Sequence, residues 1–253
     1  MTYSFLEVGL EAVAAAQEIL LKHFDTNVAF EKKSDNSPVT IADREAEAAI
    51  KKVIRNYFPD HGFYGEEEGE HNKEAECTWV IDPIDGTKSY MRGLPYFATE
   101  LALVHRDEIV LGISNAPVLQ KLLYAETGKG TILNGKHIHV SPSANLEDAF
   151  LCHGSLRSFI PLGQFENLGK LFGSCFAEKG FGDTWGFHYV AEGRIEGIVL
   201  AKIFYWDVAA QIILIEEAGG KVTDMFGQPL TKDSRTVVAS NGLLHDQILS
   251  FFK

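Results

Sequence analysis

One six-residue segment limits the possible structures of this chain more than any other feature. Residues 78–81 are predicted to form a short strand, and a polar turn follows directly. The turn reads Asp82-Pro83-Ile84-Asp85-Gly86-Thr87. Pro83 fixes φ and Gly86 permits a tight turn, so the two aspartates can face one point while N–H groups from Gly86 onward form an anion nest. This pattern favours a metal ion bridging to a phosphate; a plain Asp-Pro and Asp-Gly turn is the alternative.

Two other acidic segments stand at predicted boundaries of strands or helices. Glu66 belongs to the acidic run 65–70, which follows the apolar stretch 62–64, and Asp207 stands at a predicted helix start. Alone, the first indicates a solvated loop and the second a helix N-cap. If these acids converge with Asp82 and Asp85, their like charges raise one another's pKa values unless cations lie among them. Oxygen ligands without His or Cys favour Mg²⁺ over Zn²⁺.

Composition narrows the class of protein. The 253 residues carry a formal net charge of −12, which argues against nucleic-acid and anionic-membrane partners. The three cysteines form no Cys-x-x-Cys pair, and the N-terminal region has no basic head followed by an apolar run. These features predict a soluble cytoplasmic enzyme without a membrane span. Neither a P-loop nor a GxGxxG fingerprint occurs, so the usual nucleotide-binding motifs are excluded.

Hydrophobic periodicity predicts an α+β chain in which helices cover mixed sheets. Apolar residues at spacings of three and four predict a helix over 6–24, and a second helix is predicted to begin at Thr40 and to end before Pro59. The Asn134-Gly135 pair within the run 130–140 predicts a two-residue hairpin. The other predicted strands are 98–105, 108–114, 121–125, 149–153, 195–200, 221–224 and 236–240, and the other predicted helices are 164–172, 185–192, 208–218 and 243–252.

Four segments, in this order, make the chain similar to the inositol monophosphatase family of metal-dependent, lithium-sensitive phosphomonoesterases. They are residues 37–43, Gly65-Glu66-Glu67, the hexamer 82–87, and Trp206-Asp207-Val208-Ala209 followed by Glu217-Ala218-Gly219-Gly220. The resemblance covers nearly the whole chain and implies a layered αβαβα sandwich of the inositol monophosphatase or sugar phosphatase type. It implies a single phosphatase domain over 1–253, in which 1–145 bind metal and phosphate and 146–253 bind substrate and carry the last metal ligand.

The resemblance also implies a metal site. Two or three Mg²⁺ ions would be bound by four side chains and one backbone carbonyl, with Asp82 bridging two ions. The side chains are those of Glu66, Asp82, Asp85 and Asp207, and the carbonyl is that of Ile84. The implied reaction is in-line attack of a metal-activated water on phosphorus, with no phosphoenzyme. A homodimer is implied as the assembly.

Catalytic and phosphate-binding roles follow from the same resemblance. Asp43 and Thr87 would orient the attacking water, and Glu67 would support them from behind the metal ligands. The N–H groups of Gly86 and Thr87 would hold the phosphate. For Asp43, a capping box with Thr40 is a second role that its position alone predicts, and both roles can hold together.

The alcohol part of the substrate depends on two positions. Asp183, in the run Gly182–Gly186, resembles the histidinol-phosphate phosphatase branch, where a carboxylate can pair with an ammonium group; an N-cap is the alternative. Leu200 stands seven residues before Asp207, where both branches usually have a substrate-binding Glu, and so argues against both substrates. Because of Asp183, histidinol phosphate is the first expected substrate and inositol monophosphate the second. Fructose 1,6-bisphosphate, phosphoadenosine phosphate and a non-catalytic metal- or phosphate-binding relative are further alternatives.

Overall fold

A computed structural model describes residues 3–26, 30–32 and 38–253. Ser37, the first residue of the segment 37–43, lies outside these residues. The helices of the described part are listed by their bounds: α1 Phe5–His23, α2 Ile41–Tyr57, α3 Thr87–Tyr90, α4 Phe165–Phe172, α5 Thr184–Ala191, α6 Tyr205–Glu217 and α7 His245–Leu249. Its strands are β1 Phe30–Lys32, β2 Pro38–Thr40, β3 Gly62–Gly65, β4 Gly69–His71, β5 Cys77–Asp85, β6 Ala98–His105, β7 Glu108–Ala116, β8 Lys121–Glu126, β9 Thr131–Leu133, β10 Lys136–Ile138, β11 Phe150–His153, β12 Ala177–Lys179, β13 Gly197–Ala201, β14 Lys221–Thr223 and β15 Thr236–Ser240.

The predicted periodic elements are confirmed, with shifts at their ends. Strands β6 and β15 have the predicted bounds, and α1 and α2 begin and end within one residue of prediction. The predicted strand 130–140 is a hairpin of β9 and β10, whose turn residues Asn134 and Gly135 have φ values of 48° and 81°. Two positive φ values define a type I′ turn, which matches the twist of paired strands. The predicted helix 243–252 is α7 followed by a 3-10 turn, Ser250–Phe252.

Two large sheets form the framework. The first has the strand order β10-β9-β8-β7-β6-β5-β3-β4, and its pairs are antiparallel except β3 with β5. The second has the order β12-β11-β13-β15-β14, in which β11 is parallel to both of its neighbours. The short strands β4 and β12, which pattern analysis missed, each form one edge of a sheet. Strands of three residues carry too little periodicity to be detected from sequence.

Three large hydrophobic clusters hold the five layers together. The first core joins α1 and α2 to one face of the eight-stranded sheet, around Trp79 and Leu101. The second places α5 and α6 between the two sheets, around Phe187 and Leu214. The third packs α4 and α7 on the outer face of the five-stranded sheet. The order helix, sheet, helix, sheet, helix confirms the predicted αβαβα sandwich. In the described part of the chain, no helix combines the length and apolar character needed to cross a membrane.

Candidate metal and phosphate site

One cleft of ≈ 170 Å³ collects most of the predicted site residues. It lies where the end of β5 meets the N-terminal ends of α3, α5 and α6. Eight predicted residues line it: Glu66, Asp82, Ile84, Asp85, Gly86, Thr87, Asp183 and Asp207. Three further residues, Lys88, Lys202 and Phe204, complete the wall. Glu66 and Asp207, which are 141 positions apart in sequence, therefore meet, as the convergence hypothesis requires.

A β-bulge brings two of the acids to the same face. The sequence pattern predicts a turn from Asp82 onward, but β5 continues to Asp85. Along β6, Asp82 pairs with Glu100 and Asp85 pairs with Ala98, so β5 has one extra residue here. Side chains three residues apart in a regular strand point to opposite faces, but the extra residue of the bulge turns those of Asp82 and Asp85 to the same face. Both carboxyl groups consequently line the cleft.

The bulge also explains how a proline fits into an interior strand. Pro83 has no N–H to donate to the sheet ladder, and bulges are among the few places that tolerate it. The carbonyls of Pro83 and Ile84 instead accept hydrogen bonds from the hydroxyls of Thr99 and Thr87, at 2.9 and 3.0 Å. The predicted carbonyl ligand, Ile84, thus lies outside the regular ladder and close to the hydroxyl of Thr87.

Gly86 cannot be replaced without moving the loop. Its φ is +94°, and a Cβ atom there would lie 2.6 Å from the carbonyl oxygen of Tyr96. Both the left-handed backbone and the close approach require glycine. Thr87 follows as the first residue of α3, so the predicted phosphate-binding N–H groups stand beside the aspartates of the bulge.

Two residues that sequence analysis missed hold the turn that follows Glu66. Glu47 is fully buried on α2, and its carboxylate accepts the backbone N–H groups of Glu67 and Glu68 at 2.8 and 3.2 Å. Lys51, one turn later and also buried, pairs with Glu47 at 2.5 Å and with Glu68 at 2.9 Å. The signal was an opposite-charge pair at i and i+4 on the apolar face of a helix, where charges need partners.

Asp207 reaches the cleft from the first turn of α6. The helix begins at Tyr205, three residues before the predicted start, so Asp207 is the third helical residue and not the N-cap. Its Oδ2 atom accepts the backbone N–H of Phe204 at 2.9 Å. Asp207 is therefore not the N-cap residue that the sequence suggested; its carboxyl group instead accepts the N–H of the N-cap residue, Phe204. This hydrogen bond fixes the carboxyl group at the cleft wall.

The acids of the cleft destabilise one another's charged forms. Burial, and then the charge of Glu66, raises the pKa of Asp82 well above its ordinary value. Burial, and then the charge of Asp183, does the same for Asp85. Burial, with Glu66 and Asp183 nearby, raises the pKa of Asp207 to about 8. A bound cation reverses this cost, because it favours ionised carboxylates.

The donor set fits a hard divalent cation. Oδ2 of Asp85 is buried and has no hydrogen-bond partner, which is costly unless another group binds it. The candidate ligands are carboxylates and one carbonyl, the oxygen donors that Mg²⁺ prefers. Within the described ranges, no group of three or more His, Cys, Asp or Glu side chains is arranged as a ready metal cluster. The four acids line the cleft from three places: Asp82 and Asp85 from β5, Glu66 from the turn after β3, and Asp207 from α6.

Two predicted catalytic residues do not line the cleft. Asp43 is fully buried, and its Oδ2 atom accepts the N–H and the hydroxyl of Thr40 at 2.7 and 2.6 Å, which confirms the predicted capping box. Burial, followed by the charge of Asp43, raises the pKa of Tyr90, so Asp43 lies near α3. Glu67 is half-buried in the turn held by Glu47.

One wall of the cleft carries charges of both signs. Asp183 occupies the N-cap position of α5, but its side chain makes no capping hydrogen bond and its backbone has φ 58° and ψ −155°. That region is sparsely populated by residues other than glycine, and such strain concentrates at functional sites. Leu200 is buried in the core and does not line the cleft. Lys202, two residues later and with φ 65°, reaches the cleft instead.

Comparison with known proteins identifies the class that this fold and cleft define. The sequence profile of the inositol monophosphatase family matches residues 2–253, and the chain belongs to that family. A fructose-1,6-bisphosphatase/inositol-1-monophosphatase of Thermotoga maritima is 37% identical over 253 residues, covering 96% of this chain and 94% of the relative. A histidinol-phosphatase of Chlorobaculum parvum is 33% identical, with coverages of 97% and 95%. The solved structure of a Thermotoga maritima IMPase has a TM-score of 0.89 at 34% identity, with coverages of 97% and 95%.

Proposed function

We propose that this chain is a Mg²⁺-dependent phosphomonoester hydrolase that acts on a small phosphorylated alcohol. The observation that carries the proposal is that the four candidate metal-binding acids line one cleft together with Gly86 and Thr87. Glu66, Asp82, Asp85 and Asp207 would bind two or three Mg²⁺ ions, together with the carbonyl of Ile84. When bound, Mg²⁺ acts as a Lewis acid, lowering the pKa of water and stabilising the leaving oxygen.

The remaining residues have roles in binding and orientation. The N–H groups of Gly86 and Thr87 would bind the phosphate, and the exposed ammonium groups of Lys88 and Lys202 on the cleft wall attract an anionic ester. Asp43 and the hydroxyl of Thr87 would orient the attacking water, and Glu67 would support the ligand turn. In this scheme residues 1–145 bind metal and phosphate, while 146–253 bind the alcohol and contribute Asp207.

Histidinol phosphate is the substrate that we propose first. Asp183 lines the cleft without serving as a capping side chain, so its carboxylate is available to an ammonium group. This feature favours an aminated alcohol over inositol. Leu200, at the position where both branches usually have a substrate-binding Glu, is buried in the core and favours neither substrate. Inositol 1-phosphate, fructose 1,6-bisphosphate and phosphoadenosine phosphate are the alternatives. The two curated relatives described above are named for histidinol-phosphatase activity and for fructose-1,6-bisphosphatase and inositol-1-monophosphatase activity.

The test is phosphate release from these four esters, with Mg²⁺ and with chelator. Histidinol phosphate is expected to be hydrolysed with the highest kcat/KM, and only with Mg²⁺. A higher kcat/KM for another ester would replace the proposed substrate and keep the proposed reaction. No hydrolysis of any ester by folded protein that still binds Mg²⁺ would favour the non-catalytic alternative.

Replacing Asp183 separates a substrate-binding role from a structural one. Asp183→Asn is expected to lower kcat/KM for histidinol phosphate by about tenfold or more, because a charge-assisted hydrogen bond to the ammonium group is lost. For inositol 1-phosphate, which has only hydroxyl groups, a change below about threefold is expected. Steady-state kinetics on both esters measure the ratio. Equal losses on the two esters would show that Asp183 does not read the ammonium group.

A homodimer is the proposed assembly, with the reducing cytoplasm as its location. Two large apolar side chains of the second half, Ile160 and Phe176, are 62% and 76% exposed, as expected for residues that a second copy covers. The three cysteines are free. Light scattering after size-exclusion chromatography should give twice the 28.0 kDa of one chain. A mass of 28.0 kDa at micromolar protein concentration would contradict the dimer.

A further inference from the structure

A buried carboxyl group outside the predicted site lies directly behind the cleft. Glu100 on β6 is 1% exposed and pairs with Asp82 on β5. On its other side Glu100 pairs with Ser114 on β7. Side chains directly opposite one another on adjacent strands lie on the same face of the sheet. Asp82, Glu100 and Ser114 thus form a row that begins at the metal site and continues into the core.

Glu100 accepts hydrogen bonds from three elements. Its Oε1 atom accepts the hydroxyl of Ser114 at 2.6 Å and that of Thr184 at 2.7 Å, while its Oε2 atom accepts the amide of Gln211 at 2.8 Å. Gln211 also contacts the hydroxyl of Thr184 at 3.0 Å. Ser114, Thr184 and Gln211 are fully buried. The carboxyl group therefore joins β7, the start of α5 and the first half of α6.

His188 extends the network in one orientation. Its Nε2 atom lies 2.6 Å from the oxygen of Ser114. Burial lowers the pKa of His188 to about 3, so the ring is neutral. When Glu100 is ionised, the hydroxyl proton of Ser114 is donated to it, and the Nε2–H of His188 is then the donor to Ser114. In this form the network ends at Glu100.

Burying the carboxyl group of Glu100 costs free energy of folding, and a functional role would explain why it is retained. Burial raises the pKa of Glu100 to about 7, and no Lys, Arg or His of the described residues forms an ion pair with it. Replacing such a buried group by apolar residues is often neutral or stabilising. Its bonds, however, reach the residue after Asp183 and the residue one helical turn after Asp207. These are the two cleft acids supplied by the second half of the chain.

We propose that Glu100 is a positioning residue that fixes Asp183 and Asp207 at the cleft through Thr184 and Gln211. The bond to Thr184 holds the first turn of α5 and thereby the strained backbone of Asp183. The bond to Gln211 holds the α6 face on which Asp207 lies, because residues four apart share a helix face. The role of Asp183 and Asp207 rests on the proposed function, whereas the network itself does not.

The α5 link is tested by Thr184→Val, which keeps the side-chain shape and removes the hydroxyl. We expect kcat/KM to fall by about tenfold or more, because residues behind a site usually contribute that much. Thr184→Ser restores the hydroxyl and should return kcat/KM to within about threefold of the wild-type value. Thr131→Val is the matched control, since Thr131 is fully buried and donates its hydroxyl to the carbonyl of Leu214, farther along α6. It should lower the unfolding free energy with kcat/KM nearly unchanged.

The α6 link is tested without turnover. Gln211→Met removes the donor to Glu100 and retains an unbranched apolar side chain that can fill the space. We expect Mg²⁺ to bind about tenfold more weakly in titration calorimetry without substrate, because Asp207 is no longer fixed. Thr184→Val should leave Mg²⁺ affinity within about twofold of wild type, since its effect is on Asp183. Thr131→Val again serves as the control.

These measurements separate the two proposals. If wild-type protein hydrolyses a phosphate ester but Thr184→Val and Thr131→Val lower kcat/KM equally, Glu100 is only a core residue. If Thr184→Ser does not restore activity, or if Gln211→Met leaves Mg²⁺ affinity unchanged, Glu100 is likewise only a core residue. If wild-type protein is inactive on every ester but binds Mg²⁺, the proposed function fails and calorimetry on Gln211→Met still decides the role of Glu100. If wild-type protein neither hydrolyses an ester nor binds Mg²⁺, both proposals are overturned.

Discussion

Asp85→Asn is expected to reduce turnover by about a hundredfold or more while the fold is retained. Asp85 lines the cleft together with Asp82, and its Oδ2 atom is buried without a hydrogen-bond partner. An amide of the same shape removes one negative charge and one anionic oxygen from the proposed Mg²⁺ site. The substitution also removes a group that repels its neighbours, so the metal-free protein should not lose stability.

The measurement combines kinetics with unfolding. Phosphate release at saturating Mg²⁺ gives kcat, and urea denaturation with chelator gives the unfolding free energy. Asp60→Asn is the matched control, because Asp60 is exposed and outside the cleft. It should leave both quantities unchanged. Wild-type turnover in Asp85→Asn would exclude Asp85 from the metal site.

Removal of the metal is expected to stop phosphate release and to make stability strongly dependent on pH. Asp207 has a pKa of about 8 in the folded chain against an ordinary value of 3.8, and Asp82 and Asp85 are raised in the same direction. The folded state therefore holds protons that the unfolded state has already lost. Because stability falls with pH wherever the folded state binds more protons, the metal-free protein should weaken as pH rises toward 8.

The choice of pH range isolates this effect. Burial lowers the pKa of His188 to about 3 and of His245 to about 4, so these two residues make stability rise with pH, but only up to their ordinary value of 6.5. Between pH 6.5 and 8.5 the acids of the cleft, with Glu100, dominate. Urea denaturation across this range should show falling stability with chelator and a flatter dependence with Mg²⁺. Identical curves with and without Mg²⁺ would show that the cleft binds no cation.

Local sequence patterns predicted the elements and the acids that belong to them. The helix 6–24, the hairpin at Asn134-Gly135 and the segment 82–87 each contain their own signal, through periodicity or turn chemistry. The clustering of Glu66, Asp82, Asp85 and Asp207 in one cleft was predicted partly from the residue type and partly from the family resemblance, and the structure brings all four together.

Residues that act through tertiary contacts had no comparable signal. Lys202 follows a strand that sequence analysis recognised, but only the folded structure shows that Lys202 lines the cleft while Leu200 packs in the core. Glu100 lies in the correctly predicted strand 98–105, which gives no local sign of its role. Its partners Thr184 and Gln211 are 84 and 111 residues away, and no local pattern specifies such contacts.

The bulge in β5 has a consequence for the design of new hydrolases. A regular antiparallel sheet can present acids on one face only at every second position, and it offers no backbone carbonyl that is free of the ladder. In β5, one inserted residue with Pro83 inside the bulge places two acids three positions apart on the same face, and it frees a backbone carbonyl from the ladder of a rigid interior strand. A designer who grafts this segment onto another sheet must therefore also transfer a hydroxyl such as that of Thr99, because this hydroxyl donates the hydrogen bond that the carbonyl of Pro83 accepts.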